Sequence, residues 1–284
     1  ENLYTYFENS EILSRDMFFE NMLEAYTDEG MLMAIPRSFI LNTIVAPSEL
    51  VGEESGWTLE EFLDFAKAHP GERLADITTR RAWLIAFMRF YSENFLDWEQ
   101  GSCDFTSDTF KRMLEFVATY PEEQVSTGKY VSDYTLLDEG EILMCRARIT
   151  DTRSIQQYEA ACGGNMTCIG YPTPDGVGNY AQSIDVYGIL SSSANKEGAW
   201  AFLEFFLNYR NAKEPEDLIY LPTSKHVLEE VIKADMADDT FGVISTGDWR
   251  YRYHASTQEE IDMLYQQIET LQFTTYNVNI VNII

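Results

Sequence analysis

The sequence predicts an α/β fold in which helices cover mostly buried sheets. Three observations carry this: seven segments with apolar residues at helical spacing, three strand-like segments among them, and one turn-rich loop dividing two of those strands. Phe18, Met22, Ala25 and Tyr26 mark the first helix. Thr58 to Glu61 is a capping box, in which hydroxyl and carboxylate satisfy each other's backbone donors; Leu59, Phe62, Leu63 and Ala66 then form a stripe that stops at Pro70-Gly71. Trp83, Phe87, Phe90 and Tyr91 line a third helix. Phe110, Met113, Leu114 and Val117 line a fourth, opened by Thr106 or Ser107. Asn195 caps a helix carrying Ala199, Phe202, Leu203 and Phe206, and Ser224 starts another with Val227, Leu228 and Val231. A second capping box, Thr257 to Glu260, precedes the stripe Ile261, Leu264, Tyr265, Ile268 and Leu271. Between the helices, Leu143, Cys145, Ala147 and Ile149 alternate with Met144, Arg146 and Arg148, the period-2 signature of a half-buried strand. Met166 to Gly170 and Ser183 to Ser191 are the other strands, and Tyr171 to Tyr180 is the loop between them.

With 284 residues, 45% apolar and 24% charged, the chain has the composition of a globular core-former. Twenty Lys and Arg against 47 Asp and Glu give a formal net charge of -27, which repels phosphate backbones and anionic lipid surfaces at long range. Nucleic acid is therefore not an expected partner. The longest apolar run, about Trp83 to Met88, falls far short of the roughly 18 residues a membrane-spanning helix needs.

Catalytic signatures are sparse. His69, His226 and His254 are isolated and fit no zinc-ligand pattern, so no metal is expected. Gly170, Gly176 and Gly178 lack the dinucleotide spacing and precede a strand rather than a helix, and no G-x-S-x-G elbow occurs. Neither metal nor organic cofactor is implied. Cys103, Cys145, Cys162 and Cys168 read as scattered core thiols, with a bridge between Cys162 and Cys168 as the alternative. Aromatic residues make up 14% of the chain. Trp83 and Trp200 lie on or beside helical stripes and are expected in the core, whereas Tyr171, Tyr180, Tyr187 and Trp249 lie near loops, where core filling and ligand contact both stay open. Rings in a cleft stack on the C–H faces of sugars while polar groups bond the hydroxyls, which suits a neutral, polar ligand.

Several segments, in order, resemble the family 1 extracellular solute-binding proteins of ABC sugar importers. They are Asp28-Glu29-Gly30-Met31-Leu32-Met33-Ala34-Ile35-Pro36, Gly56-Trp57-Thr58-Leu59-Glu60-Glu61-Phe62, Leu137 to Met144, Ser191 to Phe206 and Leu221-Pro222-Thr223. The resemblance implies a two-lobed, periplasmic-binding-protein-like fold that closes on its ligand by hinge bending and docks on a membrane permease. It implies that residues 1–45 are the remainder of the N-terminal lobe and a crossover, that 46–210 are mainly the C-terminal lobe with hinge crossings, and that 211–284 return across the lobes. Because family members extend further at both ends, the N-terminal lobe is expected to be incomplete here, with Asn277 to Ile284 as the opening turns of a further helix.

Positions matching the family's cleft are Arg37 to Ile40, Thr78 to Arg81, Thr150 to Arg153 and Asp185 to Tyr187. The expected ligand-binding residues are Arg37, Thr79, Arg80, Arg153, Tyr171, Asp185, Tyr187 and Trp249. For each arginine, pairing with a surface carboxylate is the competing reading. The resemblance further implies an extracellular or periplasmic location, a carbohydrate ligand, ABC permease subunits as partners, and a membrane tie only through a lipid anchor that this chain does not contain. The alternatives are a cell-surface glycoside-active enzyme using a carboxylate pair, and a receptor for a non-sugar solute.

Overall fold

The computed structural model describes residues 1–123, 131–208, 220–238, 242–246 and 249–272; the expected helix start at Asn277 to Ile284 lies outside these. The first part contains α1 (Tyr4–Phe7), α2 (Glu20–Ala25), the hairpin β1 (Thr27–Asp28) and β2 (Met31–Leu32), and the long strand β3 (Ile35–Pro47). Next come α3 (Ser48–Val51), α4 (Leu59–Ala68), α5 (Arg80–Phe95), the hairpin β4 (Leu96–Asp97) and β5 (Ser102–Cys103), and α6 (Asp108–Val117). Then follow α7 (Asp133–Asp138), β6 (Cys145–Ile149), α8 (Thr152–Ala161), β7 (Met166–Cys168), β8 (Tyr180–Tyr187) and α9 (Lys196–Leu207). The last group is β9 (Leu221–Pro222), α10 (Lys225–Ala237), the hairpin β10 (Val243–Thr246) and β11 (Trp249–Arg252), and α11 (Gln258–Glu269).

The capping chemistry read from the sequence sets the helix starts. The Glu61 carboxylate accepts the Thr58 backbone N–H at 2.8 Å while the Thr58 hydroxyl accepts from Glu61, and Thr257 with Glu260 repeats the arrangement at the head of α11. Ser107, not Thr106, caps α6, and Asn195 caps α9. Helices α7 and α8, capped by Ser132 and Asp151, have no counterpart among the seven predicted.

β3 is the spine of a five-stranded sheet and pairs antiparallel with β6, β7, β8 and β9. Leu41 lies opposite both Ile149 and Ala181, so β6 and β8 occupy opposite edges of the spine. The sequence reading contained no strand at 35–47. Both faces of this strand are covered, so its apolar run lacks alternation, and a run of that kind does not distinguish strand from helix. Phe39, Leu41 and Val45 enter one apolar cluster with Cys145, Ala147, Ile149, Ala181 and residues of α8, α10 and α11. Ile44 and Ala46 enter a second cluster, built by α4, α5 and α6 around Phe62, Trp83 and Phe87. The N-terminal end of the spine, Ile35, enters a third, in which Leu3, Phe18 and Leu23 pack with Ile189, Trp200 and Leu203. Residues 1–35 thus share a core with 189–207, and β3 and β8 run side by side from that core into the other two.

The middle of this double crossing holds a backbone feature. Asp185, between the paired Ile184 and Val186 where the β3–β8 ladder skips a pair, has φ of 52°, the left-handed region, where a short polar side chain is tolerated and a β-branched one is not. Asp185→Val is expected to cost about 1–2 kcal/mol and Asp185→Gly close to nothing, a contrast measurable by urea unfolding.

Candidate functional site

Strand alternation builds the site. In β6, Cys145, Ala147 and Ile149 are buried while Arg146 and Arg148 are exposed on the opposite face. Residues directly opposite across an antiparallel pair share a face. Arg148 faces Asn42 and Asn42 faces Tyr180, giving one row across three strands; Ile40 and Gln182 lie in the next row toward the crossing, and Arg146 beside Ile44 in the row away from it. The face is apolar at Ile44 and Ala46, where the second cluster covers it, and polar along Asn42, Arg148 and Gln182.

The walls of this face are aromatic and cationic. The Arg89 guanidinium of α5 sits 4.2 Å from the centre of the Tyr180 ring, a cation–π contact. Phe90, Tyr171 and Tyr180 pack mutually with centroids 5.5–5.9 Å apart. Burial pushes the Tyr171 phenol far above its ordinary range, so it remains protonated. At the far side the Asp76 carboxylate accepts from the Arg146 backbone N–H at 3.0 Å and from its Nε at 2.6 Å. This pair ties the segment leading into α5 to the edge of β6. Among the described residues, the Arg148 guanidinium has no hydrogen-bond or ion-pair partner.

Asp133, at the start of α7, belongs to the same neighbourhood. Burial and the adjacent Asp76 raise its carboxyl above the usual carboxylate value, outweighing Arg146 and Arg73. A raised folded-state value means the native chain binds this proton more tightly than the unfolded chain. The associated stability is complete below the unfolded-state value and is lost as pH rises through the folded-state one. Asp133→Asn is accordingly expected to be stabilising relative to the parent at pH 7, with the difference shrinking toward pH 3, as thermal unfolding across that range would show.

Among the described residues no helix is long and apolar enough to cross a membrane, and no group of three or more His, Cys, Asp or Glu could hold a metal ion. The four cysteines are free, with Cys103 exposed and the other three buried. Residues 1–240 match the family described as bacterial extracellular solute-binding protein. The chain belongs to this family. Its members are solute-binding proteins rather than enzymes. Comparison with the curated proteins finds no match. Among solved structures, the sugar-binding protein MalE from Xanthomonas citri is 15% identical with a TM-score of 0.59, covering 97% of this chain and 68% of its own. An extracellular solute-binding protein of family 1 from Alicyclobacillus acidocaldarius is 14% identical with a TM-score of 0.55, covering 96% of this chain and 67% of its own. An ABC substrate-binding protein from Listeria monocytogenes, in complex with cycloalternan, is 13% identical with a TM-score of 0.52, covering 95% and 68%. At these identities the likeness is one of fold, the two-lobed periplasmic-binding-protein-like α/β fold. This solute-binding protein spans about two thirds of the length of the structures it matches, with shares of 64% to 71%.

The expected site residues fall in five places in this solute-binding protein. Arg37, Asp185 and Tyr187 come together on the crossing strands: the Arg37 guanidinium lies 4.2 Å from the centre of the Phe206 ring, and Tyr187 meets Phe206 edge-on at 5.0 Å. Thr79 caps α5, and Arg80 donates from Nε to the Tyr120 carbonyl at 2.6 Å. Arg153, in the first turn of α8, pairs with Asp238 at 2.7 Å. Tyr171 is only 6% exposed and packs below Tyr180. Trp249 is 8% exposed in the large core, stacked between Tyr134 and Tyr251. The row Arg148, Asn42, Tyr180 and the flanking Arg89 and Arg146 were absent from the expected set. Two arginines on the exposed side of a half-buried strand are a signal for part of it; the row that joins Arg148 through Asn42 to Tyr180 is not readable without the sheet register.

Proposed function

We propose that this chain is the receptor of an ABC importer that takes up a carbohydrate. The observation that supports it best is the polar row Arg148, Asn42, Tyr180, lying beside the two strands that join one core to the others, with flat rings and forked donors at its edge. Sugars are gripped by that combination of stacking surface and directional hydrogen bonds. Residues 1–35 and 189–207 then form one lobe and the remainder mainly the other, a division that follows the shared cores and sets the first boundary before the expected residue 45. Bending is placed at Arg37 and Asp185, where the left-handed residue interrupts the regular strand. Arg37, Asp185 and Tyr187 line the crossing in this reading. Tyr171 supports Tyr180 from beneath, and Thr79, Arg80 and Arg153 stand at helix starts around the mouth. Trp249 steadies the wall behind it. Delivery to permease subunits, an oligosaccharide as cargo, and tethering outside the cytoplasmic membrane by a lipid anchor belong to the same proposal.

A thermal-shift screen with mono- and oligosaccharides tests it, followed by small-angle scattering with each hit. A ligand present at 1,000 times its dissociation constant stabilises the native state by about 4 kcal/mol, a shift well within detection. At least one saccharide is expected to raise the melting temperature and to reduce the radius of gyration. Silence across the whole screen would contradict the proposal.

A further inference from the structure

We infer that the saccharide this receptor takes is acidic, bearing a carboxylate that Arg148 receives. The inference rests on the carbohydrate-receptor reading and names the ligand class of that same face. It starts from a local excess of positive charge in a strongly negative chain. With 20 cationic against 47 anionic side chains, an arginine meets a carboxylate easily, and Arg15, Arg112, Arg146 and Arg153 each pair with one. Arg148 is exposed at the β6 end of the polar row and has no such partner among the described residues.

Its surroundings compound the excess. Asp76 is occupied by Arg146, accepting both from that residue's backbone and from its guanidinium. Arg146 and Arg73 act on Asp133, and Arg146 and Arg89 on Tyr171, in each case beside the carboxyl of Asp76. Burial and Asp76 further disfavour the ionised form of Asp133. Arg148 adds to these an arginine that has no carboxylate of its own among the described residues.

A neutral sugar does not neutralise that excess. When a cleft closes and water leaves, an unpaired guanidinium loses hydration that hydroxyl oxygens replace only in part, whereas a carboxylate meets it with two parallel charge-assisted hydrogen bonds. The distant carboxylates oppose this weakly, because fields beyond about 8 Å are screened at physiological ionic strength. The Arg89 and Tyr180 pair and the hydrogen-bonding Gln182 then serve the ring and hydroxyls of the same sugar.

The test uses matched ligands differing only in charge: oligogalacturonate, oligomannuronate and oligoglucuronate, each beside its methyl ester, with maltotriose as a neutral reference, measured by calorimetry on the full chain. At least one acid is expected to bind about 10- to 100-fold more tightly than its ester, the range for a hydrogen bond to a charged group. Arg148→Gln is expected to reduce that ratio to within about 3-fold, with Arg148→Lys intermediate because it keeps the charge and loses the fork. Both variants should retain the parent's unfolding curve, since the side chain is exposed and unpartnered. Tight binding of maltotriose or of an ester, indifferent to Arg148→Gln, overturns the acidic ligand and leaves the carbohydrate receptor standing. Binding of no saccharide in this panel or in the broader screen overturns both.

Discussion

Replacing Trp83 with alanine is expected to destabilise the protein by about 3–5 kcal/mol, among the largest effects of any single substitution in the chain. Trp83 is 0% exposed. Its ring meets Phe62, Phe87, Phe116 and Tyr120 at centroid distances of 5.2–5.8 Å, so it joins α4, α5 and α6 at one point. Truncation forfeits the transfer free energy of a large ring and leaves a cavity whose walls, set on three helices and braced by one another, close only partly. Trp83→Phe should recover most of the loss because it keeps an aromatic contact to each wall. Urea unfolding followed by circular dichroism measures both. The consequence for function follows from geometry: Arg89 and Phe90 lie on the same helix and reach the candidate face only while α5 is held against the sheet. Ligand affinity should therefore fall in Trp83→Ala beyond the fraction unfolded, and return in Trp83→Phe.

The two kinds of sequence signal fared differently because they depend on different ranges of interaction. Capping boxes are local, satisfied within four residues, and so Thr58 and Thr257 marked their helix starts correctly. The stripe Trp83, Phe87, Tyr91 likewise needed only helical period, and it faces the core as its spacing implies. β3 is the opposite case. Its residues are apolar on both faces because two different clusters claim them, one built largely by α4, α5 and α6 and the other largely by segments about a hundred positions or more further on, and neither is readable from the strand itself. The helix at α8 was masked by its composition, since Gln156 and Gln157 are buried through bonds to the 253–260 segment rather than through apolar packing. The candidate face combines both difficulties: Arg146 and Arg148 stood out on β6, but only register brings Asn42 and Tyr180 beside them. Resemblance directed attention to the crossing strands and to the starts of α5 and α8, while the place of Arg148 on the candidate face became visible only with the sheet register.

Gly178→Ala is the second substitution expected to act strongly, lowering stability by about 1–3 kcal/mol or more through overpacking. The added methyl would stand 2.5 Å from the Tyr171 backbone nitrogen and closer still to its carbonyl oxygen. Neither atom can yield as a side chain would. The Tyr171 N–H already donates to the Gly178 carbonyl at 3.0 Å, so relief requires opening the base of the 171–178 loop. That base holds Tyr171 beneath Tyr180, and Tyr180 carries Arg89 on its face and closes the row with Asn42 and Arg148. Spreading it by even an ångström should displace the ring from the ligand position, and misplacement on that scale weakens binding out of proportion to the lost stability. The expected result is a lowered melting temperature together with a saccharide affinity reduced at least 10-fold at temperatures where the variant is fully folded. Gly71→Ala is the matched control, since a methyl there meets nothing within 4 Å and the turn is remote from the candidate face. Its cost should be limited to the left-handed backbone it imposes on alanine, about 1–2 kcal/mol, with affinity unchanged. Equal losses of affinity in the two variants would instead mean that the loop contributes only to global stability.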